Sequence, residues 1–357
     1  MNFSVFPSPS TLALENFLST PGETLQPQNE SDFKTPLCDQ RLDEVFWVVN
    51  GVIGVVILLG NSFTCVVFLS SSYMRRSYMN IYLISLGVAD ISMAVLVVPG
   101  YAVFCSGCTY KWSEYCRFFG GARDIAFPAT VLNVLAISYD RYIAVVRPLH
   151  YTSTMTNRKV LTILLAVWVT PLIAWSLRNI WLHSWSKEAV KKADTVYNAT
   201  LVTTFVFLPL PVLFVVNLQI MRAIKSHGNR IHADMVQRMH LSFQSSTNVT
   251  STGLSARQFG NELASNADLD AENRRNTSRR RKGTLSCVLV VFIFIISWLP
   301  RAFLNFCMLV GRRDLTSPML VKLSLFLLFF QSSVNPAIYC FFRSDFRRAA
   351  WQLIKWR

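Results

Sequence analysis

The chain has 357 residues, of which 52% are hydrophobic and only 15% charged, with a net charge of +15. Soluble domains carry about a quarter charged residues, and here the charges gather in short stretches between long apolar ones, so a soluble globular domain is excluded. The basic excess has no aromatic-basic fold signature beside it, so it is read as membrane topology and attraction to anionic lipid headgroups, not as nucleic-acid binding.

Residues 1–44 are polar and carry sequons at Asn2 and Asn29. No charged region followed by a compact apolar core opens the chain, which argues against a cleavable signal peptide. Seven apolar stretches follow, at about Val45–Leu69, Met79–Phe104, Ser113–Val146, Val160–Leu182, Tyr197–Ala223, Thr284–Val310 and Thr316–Phe342. A helical crossing needs roughly 20 such residues. Backbone groups in lipid must be paired within their own segment, so each stretch is predicted to be a helix. The third is interrupted by Arg123 and Asp124.

Two connections differ from the rest. The fourth, about His183–Val196, leads to a third sequon, Asn198, at the edge of the fifth helix. The fifth, about 225–283, is rich in Ser, Thr, Asn and Arg, and that composition predicts disorder. The end of the chain, Arg343–Trp356, reads as a short amphipathic helix lying on the membrane surface, with Phe346, Ala350, Leu353 and Ile354 on one face. The expected architecture is an all-α membrane protein: an N-terminal tail over 1–44, a seven-transmembrane helix bundle over 45–342, and a short amphipathic eighth helix and tail over 343–357.

Basic residues set the orientation. Arg75, Arg76, Arg147, Arg158, Lys159, Arg279–Lys282, Arg343, Arg347 and Arg348 all fall on one side, which reads as cytoplasmic. The opposite side holds fewer, among them Lys187, Lys191, Lys192, Arg312 and Arg313. The N-terminus is then extracellular, where Asn2, Asn29 and Asn198 are candidate glycosylation sites, and the plasma membrane is the expected location.

Charged and strongly polar residues inside a bilayer are costly and mark function. Asp90 lies midway along the second span, Asn61 in the first and Asn335 toward the inner end of the seventh. At similar depth in separate helices, they need one another or a cation. Asp140-Arg141-Tyr142 closes the third span, and Pro300 in Trp298-Leu299-Pro300 removes a backbone hydrogen bond from the sixth.

With Gly60-Asn61, Leu86-Gly87-Val88-Ala89-Asp90, Asp140-Arg141-Tyr142 followed by Pro148-Leu149, Trp168, Pro209, Phe294 with Trp298-Leu299-Pro300, and Asn335-Pro336-Ala337-Ile338-Tyr339 with Phe346, the chain resembles the rhodopsin-like G-protein-coupled receptors over about residues 45–357. The resemblance implies a bundle that binds an extracellular ligand and activates a heterotrimeric G protein, with lipid as its other partner. It implies that Asp140 holds Arg141 at rest, and that Asp90, Thr130 and Asn335 line a sodium and water pocket. Trp298 and Phe294 would relay ligand contact, Tyr339 would swing inward, and Leu149 would dock on the G protein. A sodium ion at Asp90 is the one cofactor it suggests; no catalytic residue and no metal centre is expected, and the chain is not read as an enzyme.

The chain departs from that family in four places. Cys116 begins the third helix, where a bridge to the following outer loop is usual, but that loop has no Cys. Cys38, Cys105, Cys108 and Cys116 allow three pairings; Cys38–Cys116 is favoured, and an unbridged Cys116 is the alternative. Asn217 stands eight residues after Pro209, where Tyr is usual. Arg280 stands where many members carry a Glu that pairs with the Arg of the third helix, which implies raised basal signalling. Arg123 lies 18 residues before Arg141, about five helical turns, on the same inward face.

Amine receptors of the family carry an Asp at the place of Arg123. Arg123 and Arg301 together favour an anionic ligand or an acidic peptide group, because guanidinium binds carboxylate and phosphate bidentately. Asp124 is the alternative partner for an amine, or else simply pairs with Arg123. The candidate ligand-binding set is thus Arg123, Asp124, Trp298 and Arg301. A receptor-like protein with little signalling is a further alternative. A retinal pigment is excluded, because Phe329 stands six residues before Asn335 where a Lys would be needed, and Lys322 lies two turns further out.

Overall fold

A computed structural model describes residues 40–100, 113–184, 187–226, 237 and 256–355. Its long elements are helices: α1 Gln40–Ser70, α2 from Tyr78 to Ser92 and on through a π-helical turn at Met93–Val97, α3 Ser113–Val146 and α4 Asn157–Ser184. α5 runs over Lys187–Val202, widens into a π-helical turn at Thr203–Phe207 and continues to Ser226. α6 is Ala256–Leu309, α7 Pro318–Phe342 and α8 Ser344–Lys355. Seven helices are long and apolar enough to cross a membrane, in agreement with the expected bundle.

The helix ends follow local rules. α6 ends at Leu309 and the chain turns at Gly311, whose φ of 76° suits a residue without a side chain. Beyond it the Arg312 amide closes back on the Cys307 carbonyl at 2.8 Å, which satisfies one of the last carbonyls of the helix. α7 starts at Ser317, whose hydroxyl accepts from the Leu320 amide at 3.2 Å, with Pro318 in the first position.

α6 packs on α7, α7 on α1, α1 and α3 on α2, and α4 on α3. Where α1 meets α7, Asn61 Nδ2 donates to the Ser332 carbonyl at 3.0 Å. A Cβ on Gly60 would stand 2.9 Å from Pro336 Cγ, so glycine permits this approach. The larger core cluster includes Phe68, Tyr82, Ile137, Phe294, Trp298, Tyr339 and Phe346, and a smaller one joins Ile57, Met93, Val97 and Phe329. Leu161, Leu165, Ile173, Leu177 and Ile180 on α4 are exposed. An apolar face of that size would be a liability in water and is an ordinary lipid contact in a bilayer.

Two expectations are corrected. The disorder expected over about 225–283 does not hold for 256–283, where α6 extends back to Ala256. That stretch has low hydrophobicity, yet Ala264, Ala267, Leu269, Ala271, Glu272 and several Arg are good helix formers with no proline among them. A helix already formed in the membrane also spares them the cost of nucleation. The connection expected over His183–Val196 is mostly helix, because α5 begins at Lys187. Its apolar content starts later, so hydropathy marks the lipid-spanning part and not the helix end.

α8 is anchored by Phe346, fully buried against Phe68 at 5.3 Å between ring centroids and Tyr339 at 6.2 Å. Trp351 and Ile354 remain exposed, as a helix lying on lipid requires.

Candidate functional site

A cavity of about 130 Å³ opens between α3, α5, α6 and α7 near the N-terminal end of α3. Arg123, Asp124, Trp298 and Arg301 all line it, so the four residues singled out from the sequence come together in one place. The rest of the wall is mostly apolar and includes the π-helical turn of α5, a distortion frequent at functional sites. Trp298 packs on Phe294 at 5.5 Å and meets Phe127 edge-on at 5.8 Å; Phe127 in turn stacks on Phe329 of α7 at 6.5 Å. Phe127 was not singled out from the sequence, where one Phe among 26 carries no signal.

Asp124 does not present a free carboxylate. Its Oδ1 accepts from Arg123 Nε at 2.9 Å and Nη2 at 2.6 Å, and its Oδ2 accepts from Arg178 Nη1 at 2.8 Å. Arg178 comes from α4 and continues to Asp194 on α5, at 3.3 Å from Nε and 3.1 Å from Nη2. Its guanidinium also lies 5.4 Å from the centroid of the Tyr197 ring. All four charged residues are buried. The mutual satisfaction of Arg123 and Asp124, open from the sequence, is what the geometry contains, and Arg178 and Asp194 enlarge it. The sequence offered little warning: Arg178 sits near the end of an apolar span and Asp194 in a stretch read as a loop.

Asn198 is half-buried on α5 and lines the cavity. Asn2, Asn29 and Cys38 lie outside the described residues. Cys116 is within α3, but its side chain lies outside what is described, so the expected Cys38–Cys116 pairing does as well.

Midway along the bundle, the fully buried Asp90 accepts from Ser332 Oγ at 2.7 Å and Asn335 Nδ2 at 2.9 Å. Asn335 of α7 is thus in direct contact with Asp90 of α2. Thr130 is buried, but its hydroxyl donates to the Ala126 carbonyl of its own helix at 3.0 Å. Ser332, missed in the sequence, is Asp90's partner. Elsewhere on α7, Gln331 is buried, and its amide atoms have no hydrogen-bond partner among the described residues.

At the C-terminal end of α3, Asp140 is fully buried and accepts from Arg141, whose Nε stands at 2.9 Å and whose Nη2 also donates. Tyr151, in the turn after α3, donates its hydroxyl to the other oxygen at 2.9 Å. Tyr142 is half-buried on the same turn of α3. Leu149 is 91% exposed, so it is available to a partner. Tyr339 is buried against Phe68 at 5.9 Å. Asn217 donates to the Val288 carbonyl of α6 at 3.1 Å. Arg280 lies within α6, and its side chain is outside the described set. Among the described residues, no group of three His, Cys, Asp or Glu is placed to hold a metal ion.

Comparison with known proteins adds to this geometry. A sequence model described as 7 transmembrane receptor (rhodopsin family) matches residues 60–339. Among relatives, the chain is 27% identical over 303 residues to a D(5)-like dopamine receptor of Takifugu rubripes, covering 82% of this chain and 63% of that one. It is 26% identical over 320 residues to a GQ-coupled rhodopsin of Mizuhopecten yessoensis, covering 85% and 58%. It is 24% identical over 320 residues to the histamine H2 receptor of Homo sapiens, covering 86% and 78%. The chain thus spans less than two thirds of the length of the first two of these relatives.

Proposed function

This chain belongs to the rhodopsin family of seven-transmembrane receptors, whose members are receptors and not enzymes, and we propose that it binds an extracellular ligand in the cavity around Trp298 and activates a heterotrimeric G protein at the Arg141 end. On this reading the protein spans the plasma membrane, with the N-terminus outside and α8 on the inner leaflet. The observation that carries it is the layout along α3: Arg123 and Asp124 line the cavity at one end, and the Asp140–Arg141 pair stands at the other. A single rigid helix then touches both sites, and a two-state bundle lets occupancy of one bias the other. The aromatic run Phe329–Phe127–Trp298–Phe294 supplies contact from the cavity into α6 and α7.

Our reading of the ligand is an anion or a peptide with an acidic group. Asp124 is occupied by two guanidinium groups, while Arg301 stands in the cavity wall. An amine ligand is the second reading, and one observation favours it: several similar proteins are named as dopamine or histamine receptors. A retinal ligand is not proposed, because Phe329 takes the place of the required Lys. We also propose a sodium ion beside Asp90, a Cys38–Cys116 bridge, and glycans at Asn2 and Asn29.

The test is second-messenger output in cells expressing the chain, screened with amines, small organic anions, lipids and peptides. A response to an acidic ligand that is lost in Arg301→Ala and Arg123→Ala supports the first reading. A response to a monoamine that is lost in Asp124→Asn supports the second.

A further inference from the structure

Asp124 sits on the wall of the cavity, but Arg178 and Asp194 are not among the lining residues and stand behind it. A buried carboxylate beside an aromatic floor is what an ammonium group seeks. Here a cation is already in place: Arg178 Nη1 is 2.8 Å from Asp124 Oδ2, and Asp194 holds the far side of the same guanidinium at 3.1 and 3.3 Å. The ring of Tyr197 covers it at 5.4 Å. Three helices, α3, α4 and α5, meet at this one side chain. The charges of Arg123, Arg178, Asp124 and Asp194 sum to zero.

We propose that Arg178 is the specificity-determining residue of the cavity: its guanidinium is a built-in counter-cation that occupies Asp124 from behind and excludes ammonium ligands. This rests on the reading of the cavity as the ligand site. A third cation at Asp124 would stand close to both Arg123 and Arg178, where low dielectric makes repulsion strong. Asp194 is the anchor that keeps Arg178 turned toward α3. Removing Arg178 alone would strand Asp194 as a buried unpaired charge, so conversion of the site requires both to change. The chain can therefore share the overall sequence of amine-named relatives and still refuse their class of ligand.

The experiment uses full-length receptor in lipid nanodiscs and measures direct binding of two probes, dopamine and histamine. It compares the wild type, Arg178→Leu/Asp194→Asn, and the same double variant carrying Asp124→Asn. The wild type is expected to bind neither probe. The double variant gains affinity by about tenfold or more, a difference of ~1.4 kcal/mol, and Asp124→Asn abolishes the gain. Three results overturn the proposal: Asp124-dependent amine binding by the wild type, no gain in a double variant that melts like the wild type, or a gain that survives Asp124→Asn. If the double variant does not fold, the closer-shaped Arg178→Gln/Asp194→Asn takes its place, with the same gain expected and the same three results overturning the proposal. Binding is read without a G protein, so failure of G-protein activation bears on the receptor reading alone.

Discussion

Asn217 on α5 donates through Nδ2 to the Val288 carbonyl on α6 at 3.1 Å, tying together two helices that flank Arg141's end of the bundle. Both residues are buried. A side chain bonded to a main-chain carbonyl moves with that turn of helix, so α6 cannot separate from α5 here without breaking it. Replacing Asn217 with Val removes the tie, and a buried hydrogen bond contributes about 1 kcal/mol. Ligand-independent nucleotide exchange on the G protein is expected to rise about fivefold, the factor that this energy represents. Unchanged basal exchange at equal surface expression would show that the bond does not restrain α6.

Arg280 stands in the N-terminal extension of α6, without the acidic residue that the family often has there. Arg280→Glu adds a partner of opposite charge for Arg141 and is expected to lower second-messenger output in the absence of ligand. Equal output from wild type and variant would remove Arg280 from the resting-state account.

The Asp90 site predicts a dependence on the cation of the buffer. Asp90 accepts only uncharged donors, Ser332 and Asn335, in the bonds described, and a bound sodium ion would balance it. The melting temperature of the wild type should rise when choline chloride is exchanged for sodium chloride at constant ionic strength. That rise should vanish in Asp90→Asn. A sodium effect that persists in Asp90→Asn places the ion elsewhere.

α8 supplies a prediction on pH. Burial pushes the Asp345 carboxyl up, but the hydrogen bonds and positive charge of Arg343 more than reverse this and hold it below its usual range. A carboxyl with a lowered value in the folded state stabilises above its unfolded value, about 3.9, and loses that contribution as pH falls through the folded value. Docking of α8 is therefore unchanged from neutral pH down to about pH 5 and weakens below about pH 4. Hydrogen exchange of α8 amides measures this, and Asp345→Asn should flatten the response. An identical acid response in the variant would assign it to another group.

The spans were legible because a bilayer imposes length and apolarity on each crossing, and α3 ends where charge and hydropathy set it, at Val146. Helix outside the lipid was not legible. Neither the extension of α6 to Ala256 nor the start of α5 at Lys187 has apolar content to announce it. In the site, residues recognisable by motif, such as Asp90, Asn335, Asp140 and Arg141, were found because their type and depth are unusual. Partners defined only by tertiary contact were not. Ser332 and Tyr151 are ordinary residues until Asp90 and Asp140 are seen to accept from them. Arg178 and Asp194 look like residues at the ends of spans until three helices close around them.

The central claim is that this chain couples a cavity ligand to a G protein through Arg141. The most direct measurement is nucleotide exchange on purified heterotrimeric G proteins by the full-length receptor in nanodiscs, for wild type and Arg141→Ala, with and without hits from an acidic-ligand and peptide screen. The account predicts exchange by the wild type above that of empty nanodiscs, a further rise with an acidic ligand, and loss of both in Arg141→Ala. Exchange by the wild type no greater than by Arg141→Ala, across the G-protein classes and with ligand bound, would contradict it.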